Sequence, residues 1–134
     1  MSRRICITNN PSWGQEYSCT DFVDGSAWDV LVNARDLVHK GWRFLGHPLY
    51  GNFQPVRQPY RTLLMEAPET GQSDAVTVDM ESFEMLETAL EAFRDGFAQH
   101  GQGEILSRLP REQLNDFALL DRSLMEHTLR TYLV

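Results

Sequence analysis

The sequence predicts one α/β domain over residues 1–134: a mainly parallel sheet of about four or five strands, with three helices. Three observations predict it. A β-branched run at Arg4–Thr8 precedes an amphipathic helical pattern over 27–40 and another extended run at 42–45. That strand–helix–strand order favours parallel pairing with a right-handed crossover. Two further helical patterns fill the second half, and 134 residues suit one domain that buries about two-thirds of its unfolded surface.

The elements follow in chain order. Arg4-Ile5-Cys6-Ile7-Thr8 reads as a strand closed by the turn signal Asn9-Asn10-Pro11, and Tyr17–Val23 as a second extended segment. Asp24-Gly25-Ser26 is a turn. Ser26 is a helix N-cap, and Asp29 three residues on completes a capping box, in which each side chain satisfies the other's end group. Ala27, Val30, Leu31, Ala34, Leu37 and Val38 then form one apolar stripe, and Gly41 stops the helix at the position where left-handed backbone is needed. Trp42–Leu45 is a strand. Residues 46–60 hold three prolines and three aromatics, so they form no regular element but pack down as an ordered loop, a common setting for function. Arg61–Met65 is a strand, 66–74 a flexible polar turn, and Ala75–Val78 a short extended piece.

A helix capped by Asp79 or Ser82 runs to His100-Gly101. It buries Phe83, Leu86, Leu90, Phe93 and Phe97 and exposes Glu84, Glu87, Glu91 and Asp95. Pro110 opens a last helix reaching about Tyr132, with a break expected near Asn115-Asp116. Its apolar residues cover a broad face suited to core or to a partner. Asp121 among them is either a partly buried polar group or turned outward.

Charge narrows the function. The net charge is −7, which argues against a nucleic-acid-backbone binder. Residues 1–67 carry seven basic and six acidic side chains (+1), whereas 68–134 carry five and thirteen (−8). A small anion is therefore better received near the first half. No apolar run approaches a membrane span, and the N-terminus lacks the features of a signal peptide, so a cytoplasmic protein is expected. Cys6 and Cys19 form no metal-ligand pattern. Cys6 reads as a buried inert thiol, and a disulfide would require neighbouring strands. No metal and no cofactor is expected, a homodimer only from base rates.

Two polar clusters carry the chemistry. Thr8-Asn9-Asn10 follows the first strand, and open α/β sheets bind ligands outside the carboxyl ends of their strands. Neutral amides and hydroxyls there hold a carboxylate or phosphate; the same residues also make an ordinary turn. His47, Asn52, Arg57 and Tyr60 lie in the proline-rich loop. His47 suits general acid–base work or a backbone hydrogen bond that holds the loop, and both readings stay open. With parallel strands the two clusters face one crevice. The proposed ligand set is Thr8, Asn9, Asn10, His47, Asn52 and Arg57, with His47 the catalytic candidate. No established catalytic motif is present.

Ile7-Thr8-Asn9-Asn10-Pro11, the helix segment from Asp29-Val30-Leu31 to His39-Lys40-Gly41, Gly46-His47-Pro48-Leu49-Tyr50-Gly51-Asn52 with Pro59-Tyr60, and Asp116–Asp121 with Ser123-Leu124 together resemble the GrdX family. The HPLxG element followed by PY is the most distinctive part. The resemblance implies a small accessory protein associated with glycine, sarcosine and betaine reductases, systems that use selenoproteins, thioredoxin and acetyl phosphate. It brings no assigned catalytic residues. The resulting expectation is a non-catalytic accessory or small-ligand-binding protein, with a reductase component as partner. The rival expectations are a small enzyme using His47 and an interaction module docking through the last helix.

Overall fold

A computed structural model describes residues 3–51, 59–68, 77–100 and 109–133, with side chains as far as Arg94 in the third stretch. Its strands are β1 (Arg4–Thr8), β2 (Thr20–Phe22), β3 (Arg43–Phe44) and β4 (Thr62–Glu66). Its helices are α1 (Ala27–His39), α2 (Met80–His100) and α3 (Arg111–Leu133), with a short 3-10 helix at Pro11–Trp13. The strands form one sheet in the order β2-β1-β4-β3.

Among the described residues only the β1–β2 pair is parallel; β1–β4 and β3–β4 are antiparallel. The mainly parallel sheet is therefore replaced by a mixed one. The strand–helix–strand reading gets the direction right, because β2 and β3 both run with β1. They lie, however, on opposite edges. β4 instead runs against both β3 and β1 and occupies the place between them. β4 is buried throughout, which explains its unbroken apolar Leu-Leu-Met run.

Side chains alternate across the sheet. Ile7, Leu63 and Met65 face α1 and α2, where Val30, Leu31, Val38, Leu86 and Phe93 complete one core. Cys6 and Leu64 face α3, packing against Trp13, Met125 and Leu129. Tyr50 touches both cores. It wraps around one end of the sheet, the end reached by the carboxyl termini of β1, β2 and β3 and by the start of β4.

The local signals for α1 are realised in detail. Ser26 accepts from the Asp29 amide, Asp29 accepts from the Ser26 amide at 2.8 Å, and Gly41 follows the helix at φ 92°. Asp79 caps α2 by accepting from the Ser82 amide at 3.0 Å. Among the described side chains, Leu86, Leu90 and Phe93 are buried and Glu84, Glu87 and Glu91 exposed; Asp95, Phe97 and His100 lie outside the described side chains. Several elements differ from expectation, β3, β4 and α1 by only a residue or two at an end. β2 keeps only three residues, because Tyr17–Cys19 turns and the Thr20 amide donates to the Tyr17 carbonyl. Thr77 and Val78 are not a strand, and Ala75 and Val76 lie outside the described residues. α3 continues through Asn115-Asp116: both are exposed there, where helix propensity costs only a few tenths of a kcal/mol.

Candidate functional site

Of the two polar clusters of the sequence, Thr8–Asn10 and the described members His47 and Tyr60 lie on segments that reach one end of the sheet. The Leu45 amide donates to the Leu64 carbonyl at 2.8 Å, and Tyr50 and Arg61 tie the 47–50 turn to the start of β4, opposite which stands Thr8. What the clusters do there is mostly internal. Thr8 is fully buried; its Oγ1 accepts from the Asn10 amide at 3.0 Å and donates to Thr62 Oγ1 at 2.8 Å. The direction is fixed because Thr62 donates its own proton to Asp121 Oδ2 at 2.6 Å. Trp13 Nε1 also donates to Thr62, at 3.0 Å. Asn10 donates to Asp121 Oδ2 and to the Ala118 carbonyl, both at 2.9 Å, while its Oδ1 accepts from the Ser12 amide and caps the 3-10 helix.

Tyr50 closes this network from the other side of the sheet. Its hydroxyl donates to Asp121 Oδ1 and accepts from the Thr62 amide at 2.6 Å. Burial, then the Asp121 carboxylate, raises the Tyr50 hydroxyl well above the ordinary tyrosine value, against a smaller lowering by Arg61. Asp121 thus accepts three hydrogen bonds, which settles its orientation: it is buried. Its place on the Ala118–Met125–Leu129 face was the available signal.

Asn9 ties three segments together. Its Nδ2 donates to the Gly25 and Pro59 carbonyls at 3.0 and 2.9 Å, and its Oδ1 accepts from the Arg61 amide at 2.9 Å. Arg61 itself is 1% exposed. Its guanidinium donates to the Pro48 and Tyr50 carbonyls and stacks over the Tyr50 ring at 3.8 Å. Arg61, Tyr50 and Thr62 were missed as functional candidates because long-range contacts, not local pattern, place them.

His47 is exposed, and its Nδ1 accepts from the Leu49 amide at 3.0 Å, holding the 47–50 turn. Asn52 and Arg57 lie outside the described residues. Tyr60 is half-buried, and burial raises its hydroxyl above the ordinary tyrosine value. Tyr60 lines an open groove of about 430 Å³ with Pro11, Ser12, Asn115, Ala118 and Leu119, directly outside the Asn10–Ala118 contact. A second hollow, about 260 Å³, lies between β3 and the start of α2. Among the described residues no group of three His, Cys, Asp or Glu side chains is placed to hold a metal. Cys6 and Cys19 sit on neighbouring segments as free thiols, and the Cys6 amide donates to the Cys19 carbonyl at 3.1 Å.

A family model for GrdX-like proteins matches residues 5–130, nearly the whole chain. The chain belongs to the GrdX-like family. Membership points to glycine reductase systems, without a particular role in them. No curated protein and no solved structure matches the chain. No described helix is long and apolar enough to cross a membrane.

Proposed function

We propose that this GrdX-like chain is an accessory protein of glycine, sarcosine or betaine reductase metabolism that binds a small ligand rather than transforming one. The observation that carries this reading is the meeting of the β1, β3 and β4 ends around Asn9, Asn10 and Tyr50, beside an open groove. Strand carboxyl ends are where α/β sheets take their ligands. The main hydrogen bonds of this end are already made before a ligand arrives, so the walls of the site are held in place. His47 supports binding better than catalysis: it is exposed, and one ring nitrogen already accepts from the Leu49 amide.

The test is a thermal-shift titration with glycine, sarcosine, betaine, acetyl phosphate and phosphate. The reading expects a saturable rise for one of them, equivalent to about 2.7 kcal/mol at a hundredfold excess over Kd, with no turnover of that compound. In His47→Ala the 47–50 turn loosens, so the rise persists at lower affinity. Turnover abolished by His47→Ala would replace this reading with the small-enzyme one.

One observation favours a second reading, a module that docks on a reductase component through α3. Leu119, Leu120 and Leu124 are 63%, 38% and 40% exposed. Such apolar exposure on one helix is a feature of interaction surfaces. Co-purification with a reductase component that is lost in Leu119→Lys/Leu124→Lys supports it; undiminished co-purification removes it.

A further inference from the structure

Arg61 is a buried charge, 1% exposed, with no carboxylate in direct contact among the described residues. Its Nη2 reaches the Pro48 carbonyl at 3.1 Å and the Tyr50 carbonyl at 2.9 Å, and its Nε is buried with no hydrogen-bond partner. The Tyr50 and Phe93 rings lie 3.8 and 5.4 Å from the guanidinium carbon. Carbonyls and ring faces supply partial negative charge, and the Asp121 carboxylate reaches the guanidinium only through the shared Tyr50, without direct contact. Buried charges are ordinarily paired, and an unfilled buried N–H is costly. If holding the 47–50 turn were the whole task, a neutral donor would do it without desolvating a full charge.

The surroundings are also those of a site. Arg61 immediately precedes β4, at the sheet end where β1 and β3 finish. Asn9 fixes its backbone through the Arg61 amide and the Pro59 carbonyl. The two carbonyls that hold the guanidinium belong to a turn bounded by Gly46 at φ 107° and Gly51 at φ 89°, conformations that glycine adopts freely. That turn is the part of the wall that lies directly over the guanidinium.

We infer that Arg61 is the anchor of a small-oxyanion site, its Nε–H donating to a carboxylate or phosphate oxygen that also neutralises the guanidinium. This rests on the ligand-binding reading and names the ligand class and the residue that selects it. Arginine suits the role because its charge persists at every physiological pH and its donors are fixed in a plane.

The test uses the full-length protein labelled with 15N-arginine, its Arg61 Nε–H resonance assigned through bonds. Phosphate, acetate and glycine are titrated at constant ionic strength, with chloride as control. The inference expects a saturable displacement of the Arg61 resonance by at least one oxyanion and none by chloride. It also expects a loss of affinity of about tenfold or more in Arg61→Lys, a variant that keeps the charge but not the Nε–H; circular dichroism checks that the variant is folded. If the variant does not fold, the wild-type resonance still decides. A ligand that raises the melting temperature while the Arg61 resonance stays still overturns this inference and leaves the ligand-binding reading standing. An Arg61 resonance that follows chloride equally overturns it as simple screening. No response to any compound, by resonance or melting temperature, overturns both.

Discussion

Asp121→Ala is expected to destabilise the fold by about 3 kcal/mol. The carboxylate accepts from Asn10 Nδ2 at 2.9 Å, from Thr62 Oγ1 at 2.6 Å and from the Tyr50 hydroxyl. Without it, Asn10 Nδ2 keeps the Ala118 carbonyl at 2.9 Å. The Thr8–Thr62 pair is left with one surplus proton whichever way it donates, and the Tyr50 hydroxyl has no acceptor. Two buried donors at about 1–3 kcal/mol each give roughly 2–6 kcal/mol. Relief from burying a carboxylate offsets part of that and brings the figure to the lower half of the range. Against a total stability of about 5–15 kcal/mol this is a large loss. Urea denaturation reads it as a lower midpoint with an unchanged slope. Glu126→Ala serves as control: Glu126 pairs with the exposed Arg130 one helical turn on, and its loss is expected to cost about 0.5 kcal/mol or less. A loss below about 1 kcal/mol in Asp121→Ala would refute the reasoning, because the network would not then join α3 to the sheet.

Three further outcomes are expected. Glu66 lies between Arg43 and Arg4, whose hydrogen bonds hold its carboxyl below the ordinary glutamate value. Its contribution is therefore present above about pH 4.5 and lost as pH falls through the lowered value. Wild type should exceed Glu66→Gln by about 1 kcal/mol at pH 7, both arginines being partly exposed, and the gap should close in acid denaturation series. Ser26→Ala removes the side chain that accepts from the Asp29 amide and should cost about 1 kcal/mol by chemical denaturation. Burial pushes the Cys6 thiol up to about 12, so peptide mapping after alkylation at pH 8 should find Cys6 unmodified in folded protein and modified in urea.

The parts of the fold legible in the sequence are those with local causes. The Ser26–Asp29 capping box and Gly41 fix α1 because their partners are three to four residues away. The expectation that Thr8–Asn10 shares a crevice with His47, Asn52, Arg57 and Tyr60 rested on strands that run the same way; β3 does run with β1 despite the antiparallel insertion of β4, while Asn52 and Arg57 lie outside the described residues. The insertion itself was not legible: nothing local says which strand fills the centre of a sheet. Nor was the interior use of Asn10. As a turn residue it caps the 3-10 helix at short range, but its contact with Asp121 spans 111 positions. Arg61 was hidden for the same reason. An arginine beginning a strand looks like an exposed flank until the 47–50 turn and Phe93 close over it.

The central claim is that the end of the sheet bounded by Thr8–Asn10, the 47–51 turn and Pro59–Thr62 receives a small ligand. Backbone amide mapping of the uniformly 15N-labelled protein, titrated with phosphate and with glycine, tests it most directly. The account predicts saturable displacements centred on Asn9, Asn10, Leu49, Tyr50 and Arg61, with α3 beyond Asp121 and the Glu66 end of the sheet unmoved. Displacements confined to Leu119–Leu124, or spread evenly over the surface, would contradict it.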